Sequence, residues 1–218
     1  MEKGRKVGEE RIILLGGGAF SRELLSWILD VADTTPLPKV AAFLDQDAAA
    51  FTGFAGIELS WAGDPAQYQP KSGDLFAIAL GDPHVKANVC EGLEARGGEF
   101  LTVIHPSASI SRTAIIGKGV VIGPGTYVAT HARLGDFVCV NSLTGVGHDA
   151  VVGPSSTISS QVDVMGAVTL GKSVFVGSGA RLLPKISVGD RAKIGAGSVV
   201  VRSVKPDTTM FAKPAGKI

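Results

Sequence analysis

One aliphatic residue stands at every sixth position from Ile104 to Val200, in the order Ile104, Ile110, Ile116, Ile122, Val128, Leu134, Val140, and so on without a slip. Nine of these positions are followed at once by glycine, among them Gly117, Gly135, Gly147 and Gly171. Small residues such as Ala108, Ala114, Ala132 and Ala192 stand four places after the repeated one. A period of six matches neither the 3.6 of a helix nor the two-residue alternation of a long strand. It matches short strands joined by corners, in which no coil can bury its own core and each must stack on the next. Three hexapeptides to a coil put about five coils between positions 104 and 200. The composition agrees: 29 glycines supply corners, and only 6% aromatic residues leave a narrow aliphatic interior.

The first hundred residues follow a different pattern. Arg11 to Leu15 reads as a buried strand, then Gly16-Gly17-Gly18-Ala19-Phe20-Ser21, then helical spacing from Arg22 to Asp33. Further strands are expected at 40–44, 75–80 and 100–104, with a helix from His84 to Arg96. Strand and helix in alternation imply a small parallel α/β sheet. Glycines between a first strand and a helix bring backbone N–H groups close to a phosphate at the positive end of that helix. The G-x-G-x-x-G pattern is incomplete, because Ser21 takes the place of the third glycine. Asp45, ending the second strand, is placed to accept hydrogen bonds from a ribose or base. The plainer reading is that Gly16 to Gly18 only permit close strand–helix packing. About 90 residues suffice for one mononucleotide half and not for a full redox dinucleotide site.

Other features narrow the functional classes. With 21 basic and 20 acidic side chains the net charge is +1, which leaves no electrostatic footprint for nucleic acid. Cys90 and Cys139 cannot form a disulfide framework and read as buried thiols. No apolar run is long enough to span a bilayer. The charged opening, residues 1–10, reads as a solvated tail on a cytoplasmic protein.

A short Rossmann-like unit, then Ile104-His-Pro-Ser-Ala, then unbroken hexapeptides and a terminal Phe211-Ala-Lys-Pro-Ala-Gly-Lys resembles the sugar O- and N-acyltransferases. That group includes the UDP-4-amino-sugar and GDP-perosamine N-acetyltransferases and the sialic acid O-acetyltransferases. The segment Asn141 to Asp149, with Gly147-His148-Asp149, adds to the resemblance. It implies a left-handed β-helix over 104–204 behind a nucleotide-sugar-binding unit over 11–103. A C-terminal tail over 205–218 lies near the coenzyme. The resemblance also implies a homotrimer with acetyl-CoA between subunits and no metal, in precursor synthesis of the lipopolysaccharide type. Carried over by position, the base and its partner are His148 and Asp149. Gly17, Gly18, Ser21, Asp45 and Asp82 surround the nucleotide, with His131 and Asn141 also toward the substrate. Thr157, Ser159, Gly166, Ser178 and Ala196 face the coenzyme. Some relatives place a histidine against the acetyl carbonyl where this chain has Thr157.

The chemistry follows from the side chains. A thioester is already activated, whereas an attacking amine must lose a proton, and imidazole is suited to take one near neutral pH. A neighbouring carboxylate orients the ring, and the Gly166 N–H is the candidate donor to the developing oxyanion. His131, seventeen residues before His148, falls one layer away and displaced by one position; it either touches substrate or is a surface ring. His105 reads as structural and His84 as a helix-start residue. The same base on a hydroxyl would give an O-acetyltransferase. A nucleotide-binding trimeric scaffold and a three-histidine metal hydro-lyase are the rivals from other classes.

Overall fold

The repeated aliphatic side chains face one another across a three-sided stack. The computed structural model describes residues 10–213; residues 1–9 and 214–218, which hold most of the charged opening and the end of the C-terminal tail, lie outside the described residues. From Val103 onward, two-residue strands build three parallel sheets of seven, six and five strands. Every step in register within the repeat is eighteen residues, as in Val121 to Cys139 and Val140 to Ile158. The chain is thus a parallel β-solenoid of hexapeptide repeats behind an α/β unit. Val128, Val140, Val146, Ile158 and Val164 are completely buried inside it. Ile104, Ile110 and Ile116 are only partly buried, because the first coil has no layer beneath it. The stack also runs past Val200, where the six-residue period stops. Thr209–Met210, inside the segment assigned to the tail, pairs in parallel with Lys193–Ile194.

The corners repeat as strictly as the strands. His131, Asp149, Ala167 and Lys185, eighteen residues apart, all lie in the left-handed region at φ 57–65°. Aspartate tolerates that region better than most residues.

The front unit is a five-stranded parallel sheet of β1 (Arg11–Leu15), β2 (Val40–Leu44), β3 (Ser60–Trp61), β4 (Asp74–Ile78) and β5 (Glu99–Phe100), in the order β3-β2-β1-β4-β5. The two helices are α1 (Ala19–Ala32) and α2 (Pro83–Ala95). Ile12 to Leu15 are fully buried, as a central parallel strand covered on both faces requires. Two differences from the sequence reading matter. The helix α1 begins three residues earlier than its apolar spacing suggested, and β3 is too short to show any pattern.

This unit packs on the seven-stranded face of the prism. Val103, Val121, Phe137 and Cys139 belong to the same apolar core as the sheet. The Trp27 ring of α1 lies over Gly123, where a Cβ would stand 2.9 Å from it. At the centre of the junction Lys86 of α2 is completely buried. Its Nζ donates to the Ser156 carbonyl at 3.0 Å and to the Thr157 hydroxyl at 2.8 Å. Among the described residues no helix is long and apolar enough to cross a membrane.

Candidate functional site

His148 stands at the corner that follows the strand Gly145–Val146, on the outside of the prism. Its Nδ1 is 2.8 Å from a carboxylate oxygen of Asp149, and both side chains are more than half exposed. A carboxylate can only accept, so this bond puts the proton on Nδ1 and leaves the lone pair on Nε2. The left-handed backbone of Asp149, whose N–H donates to the Thr130 carbonyl at 3.0 Å, places the two side chains side by side. One coil further along the chain, Gly166 lies directly against the ring: a Cβ there would be 2.5 Å from Nε2. The Gly166 N–H donates to no described group. The sequence-predicted base, its acidic partner and the oxyanion donor are therefore neighbours. Replacing Gly166 by alanine is expected to displace the ring and lower turnover by ~10²-fold, with little change in melting temperature, since the φ of Gly166 is one any residue adopts. Steady-state kinetics beside a thermal melt would check this; unchanged turnover would show that the ring has no function above Gly166.

The remaining predicted positions divide into three groups. His131 is exposed and lies one coil below Asp149 rather than below His148, its N–H held by the Thr113 hydroxyl at 3.0 Å. Asn141 and Ser159 start a column along the preceding corner, which Gly177 and Gly195 continue, and Ser178 and Ala196 stand one position beside it. Asn141 Oδ1 accepts from the Cys139 thiol at 3.5 Å, and the Ser159 carbonyl accepts from the Thr144 hydroxyl. Within one chain the width of the second face, with Tyr127, Gly145, Asp163 and Arg181 pointing outward, separates this column from His148 and Gly166. Thr157 is a correction. It sits beneath α2 on the seven-stranded face, 2% exposed, and its hydroxyl is engaged by Lys86, so it cannot line a coenzyme groove.

The glycine turn also differs in detail from the sequence reading. The Gly17 N–H donates to Asp45 Oδ2 at 2.8 Å, and the other Asp45 oxygen accepts from the Asp47 N–H. Ser21 is fully buried and its hydroxyl donates to the Gly16 carbonyl at 2.6 Å. Gly17 and Ser21 are thus corrected from phosphate ligands to members of the turn's internal bonding. Gly18 caps α1 with open space above it and no side-chain cap. The N–H groups of Ala19 and Phe20, in the first turn of α1, have no partner within the helix, and the sequence reading passed over them because it placed the helix start too late.

Asp82 caps α2. The Val85 and His84 N–H groups on its Oδ1 hold this carboxyl below the usual carboxylate range. A cavity of about 240 Å³ bounded by Gly16, Asp45, Leu80 and Val85 lies at the carboxyl ends of β1, β2 and β4. Open α/β sheets take their ligands at that edge. Trp61, also missed, is half exposed beside it and donates its indole N–H to the Asp45 carbonyl at 2.8 Å. Among the described residues no group of three or more His, Cys, Asp or Glu side chains is placed to hold a metal ion.

Residues 167–202 match the family described as bacterial transferase hexapeptide (six repeats). The hexapeptide chain is 32% identical over 117 residues to the UDP-N-acetylbacillosamine N-acetyltransferase of Bacillus subtilis, covering 52% of this chain and 51% of the relative. Over 74 residues it is 28% identical to the GDP-perosamine N-acetyltransferase of Escherichia coli O157:H7, covering 34% of each. The matched segments thus span about half and a third of these curated relatives. Whole-length similarity is seen in solved structures. PerB from Caulobacter crescentus, solved with CoA and GDP-perosamine, superposes with a TM-score of 0.83 at 25% identity, over 98% of this chain and 99% of that one. The acetyltransferase domain of PglB from Neisseria gonorrhoeae gives 0.81 at 25% identity, over 96% and 100%.

Proposed function

We propose that this hexapeptide protein is an acetyl-CoA-dependent N-acetyltransferase acting on the amino group of a nucleotide-linked amino sugar. The observation that carries the reading is the His148 ring, held by Asp149 with Nε2 turned away from it and Gly166 at its base. The UDP- and GDP-linked amino sugars named for the relatives supply the substrate class. In this reading Nε2 takes a proton from the sugar amine as its nitrogen bonds to the acetyl carbon. The Gly166 N–H stabilises the carbonyl oxygen as charge develops there. The carbon–sulfur bond then breaks, and the departing thiolate takes the proton. Asp149 keeps the ring oriented and stabilises the imidazolium in between.

The front unit serves as a Rossmann-like holder for the nucleotide. The first N–H groups of α1 meet the diphosphate, and Asp45 and Asp82 lie toward the nucleoside. The corner that carries Asn141, Ser159, Ser178 and Ala196 and the corner of His148 lie on different edges of one prism. They complete one cleft if the coenzyme runs between neighbouring subunits of a homotrimer, so assembly belongs to the same proposal. Left-handed winding of the coils and a cytoplasmic setting, where acetyl-CoA is made, complete it.

The test is thiol release from acetyl-CoA against a panel of UDP-, GDP- and dTDP-linked amino sugars. Turnover with one nucleotide series supports the reading. Turnover only with hydroxyl acceptors would replace it with O-acetylation. Nucleotide binding without thiol release or coenzyme affinity would leave a binding scaffold.

A further inference from the structure

The near-neutral total charge conceals a cationic end. Residues 181–213, the last two coils, hold seven basic and two acidic side chains, in a chain whose totals are 21 and 20. Both acids are engaged. Asp207 accepts two bonds from the Arg191 guanidinium at 2.7 and 2.6 Å, and Asp190 accepts the Lys172 N–H at 2.9 Å. Arg202 and Lys205 are exposed, and neither side chain bonds to a described residue.

The same end is apolar. The last coil of a solenoid has no further coil to cover it and is ordinarily finished with polar side chains. The first coil follows that rule, with Ser107, Ser109, Arg112 and Thr113 facing solvent. The last does not. Of the eleven large apolar side chains exposed among the described residues, Val199, Val201, Met210 and Phe211 belong to it. Phe211 is 77% exposed, the most of any. Met210 stands in register over the inward Ile194 and is left uncovered. Val199, Val201 and Met210 border a cavity of about 350 Å³ together with Arg202 and Lys205.

Apolar side chains among unpaired cations complement the surface of an anionic bilayer. Phenylalanine and methionine enter at the boundary of headgroup and acyl chain, while arginine and lysine meet the phosphates. A free polyanion would use the cations and leave the apolar side chains in water. A neutral apolar partner would cover those side chains and leave the cations unmatched.

We infer that the C-terminal end of the prism docks peripherally on an anionic lipid surface through Phe211, Met210, Arg202 and Lys205. The inference stands apart from the transferase reading. Prisms that share a cleft in a closed threefold ring lie side by side, so all three ends face one way and their contacts reinforce one another.

Co-sedimentation of the full chain with phosphatidylcholine–phosphatidylglycerol vesicles, beside pure phosphatidylcholine, tests it. Binding to the anionic vesicles is expected to be at least about tenfold tighter. It should be lost in ~1 M salt, where the screening length falls to about 3 Å. Arg202→Gln with Lys205→Gln should weaken it about twentyfold, roughly fivefold for each charge removed. Phe211→Ser should weaken it about tenfold. These side chains are exposed, so a thermal melt of each variant should match wild type. Added coenzyme A should leave vesicle binding unchanged; its displacing the vesicles would give the cations to the coenzyme and overturn the inference. Equal binding to both vesicle types, or to neither, would overturn it too. So would self-association that Phe211→Ser abolishes, without vesicle binding, since the surface would then belong to a second copy of the chain.

Discussion

Substituting His148 by alanine or asparagine is expected to lower kcat by ~10²–10⁴-fold at saturating acetyl-CoA and amino sugar, the usual contribution of a positioned general base. The fold should be untouched, because the ring is 66% exposed and belongs to no apolar cluster. The backbone carbonyl of His148, which accepts from the Ala167 N–H at 2.8 Å, survives either change. KM for both substrates should move little, since a base that acts on the reacting proton contributes mainly in the transition state. Asp149→Asn should cost less than loss of the ring, because asparagine also tolerates the left-handed backbone while offering the ring no charge. Steady-state kinetics on the three proteins, with circular dichroism as a fold control, decides the matter. Wild-type kcat in the His148 variants would remove the ring from the reaction.

A second large effect is expected at Lys86, in stability rather than activity. Burial pushes its ammonium down to about 8, and its listeners are a neutral carbonyl and a neutral hydroxyl. Below pH 8 both folded and unfolded chains carry the proton, and the folded state bears the full cost of a buried charge. Between pH 8 and the ordinary lysine range near 10.5 the folded chain binds fewer protons than the unfolded one, so stability rises with pH. The gain over that window is about 3 kcal/mol. Lys86→Met keeps the length and apolar stem while removing the titration. Its stability relative to wild type should therefore fall by about 3 kcal/mol from pH 8 to 10.5. Lys86→Ala should be less stable than the methionine variant by about 2–4 kcal/mol, because it leaves a cavity at the junction. Urea titrations of the three proteins across that pH range test this. Parallel curves for wild type and Lys86→Met would show that the amine is not buried as the structure places it.

These two sites differ in how far the sequence reveals them. The His148–Asp149 pair is adjacent in sequence, and counting eighteen residues from His148 leads to Gly166 in the next coil. The periodic half of the molecule therefore carries its own three-dimensional map. The same counting places His131 in a lower layer and separates the Asn141 column from the His148 corner. In the front unit, the strands β1, β2 and β4 and both helices were legible from apolar runs and spacing. The three-residue error at the start of α1 mattered more than its size suggests. It hid the N–H groups of Ala19 and Phe20, while the resemblance placed at the phosphate Gly17 and Ser21, whose groups are taken by Asp45 and Gly16.

What the sequence alone determined is the prism, its corners and the closeness of His148, Asp149 and Gly166, because each depends on residues one repeat apart or less and repeats the same local geometry. Only the tertiary structure decided that Thr157 belongs to the junction under α2, since its partner Lys86 is 71 residues away. The same holds for the cavity bounded by Gly16, Asp45, Leu80 and Val85, assembled from separate segments at the carboxyl edge of the sheet. Hydrogen bonds between distant segments form where packing brings them together, and no spacing rule along the chain records which donor reaches which acceptor.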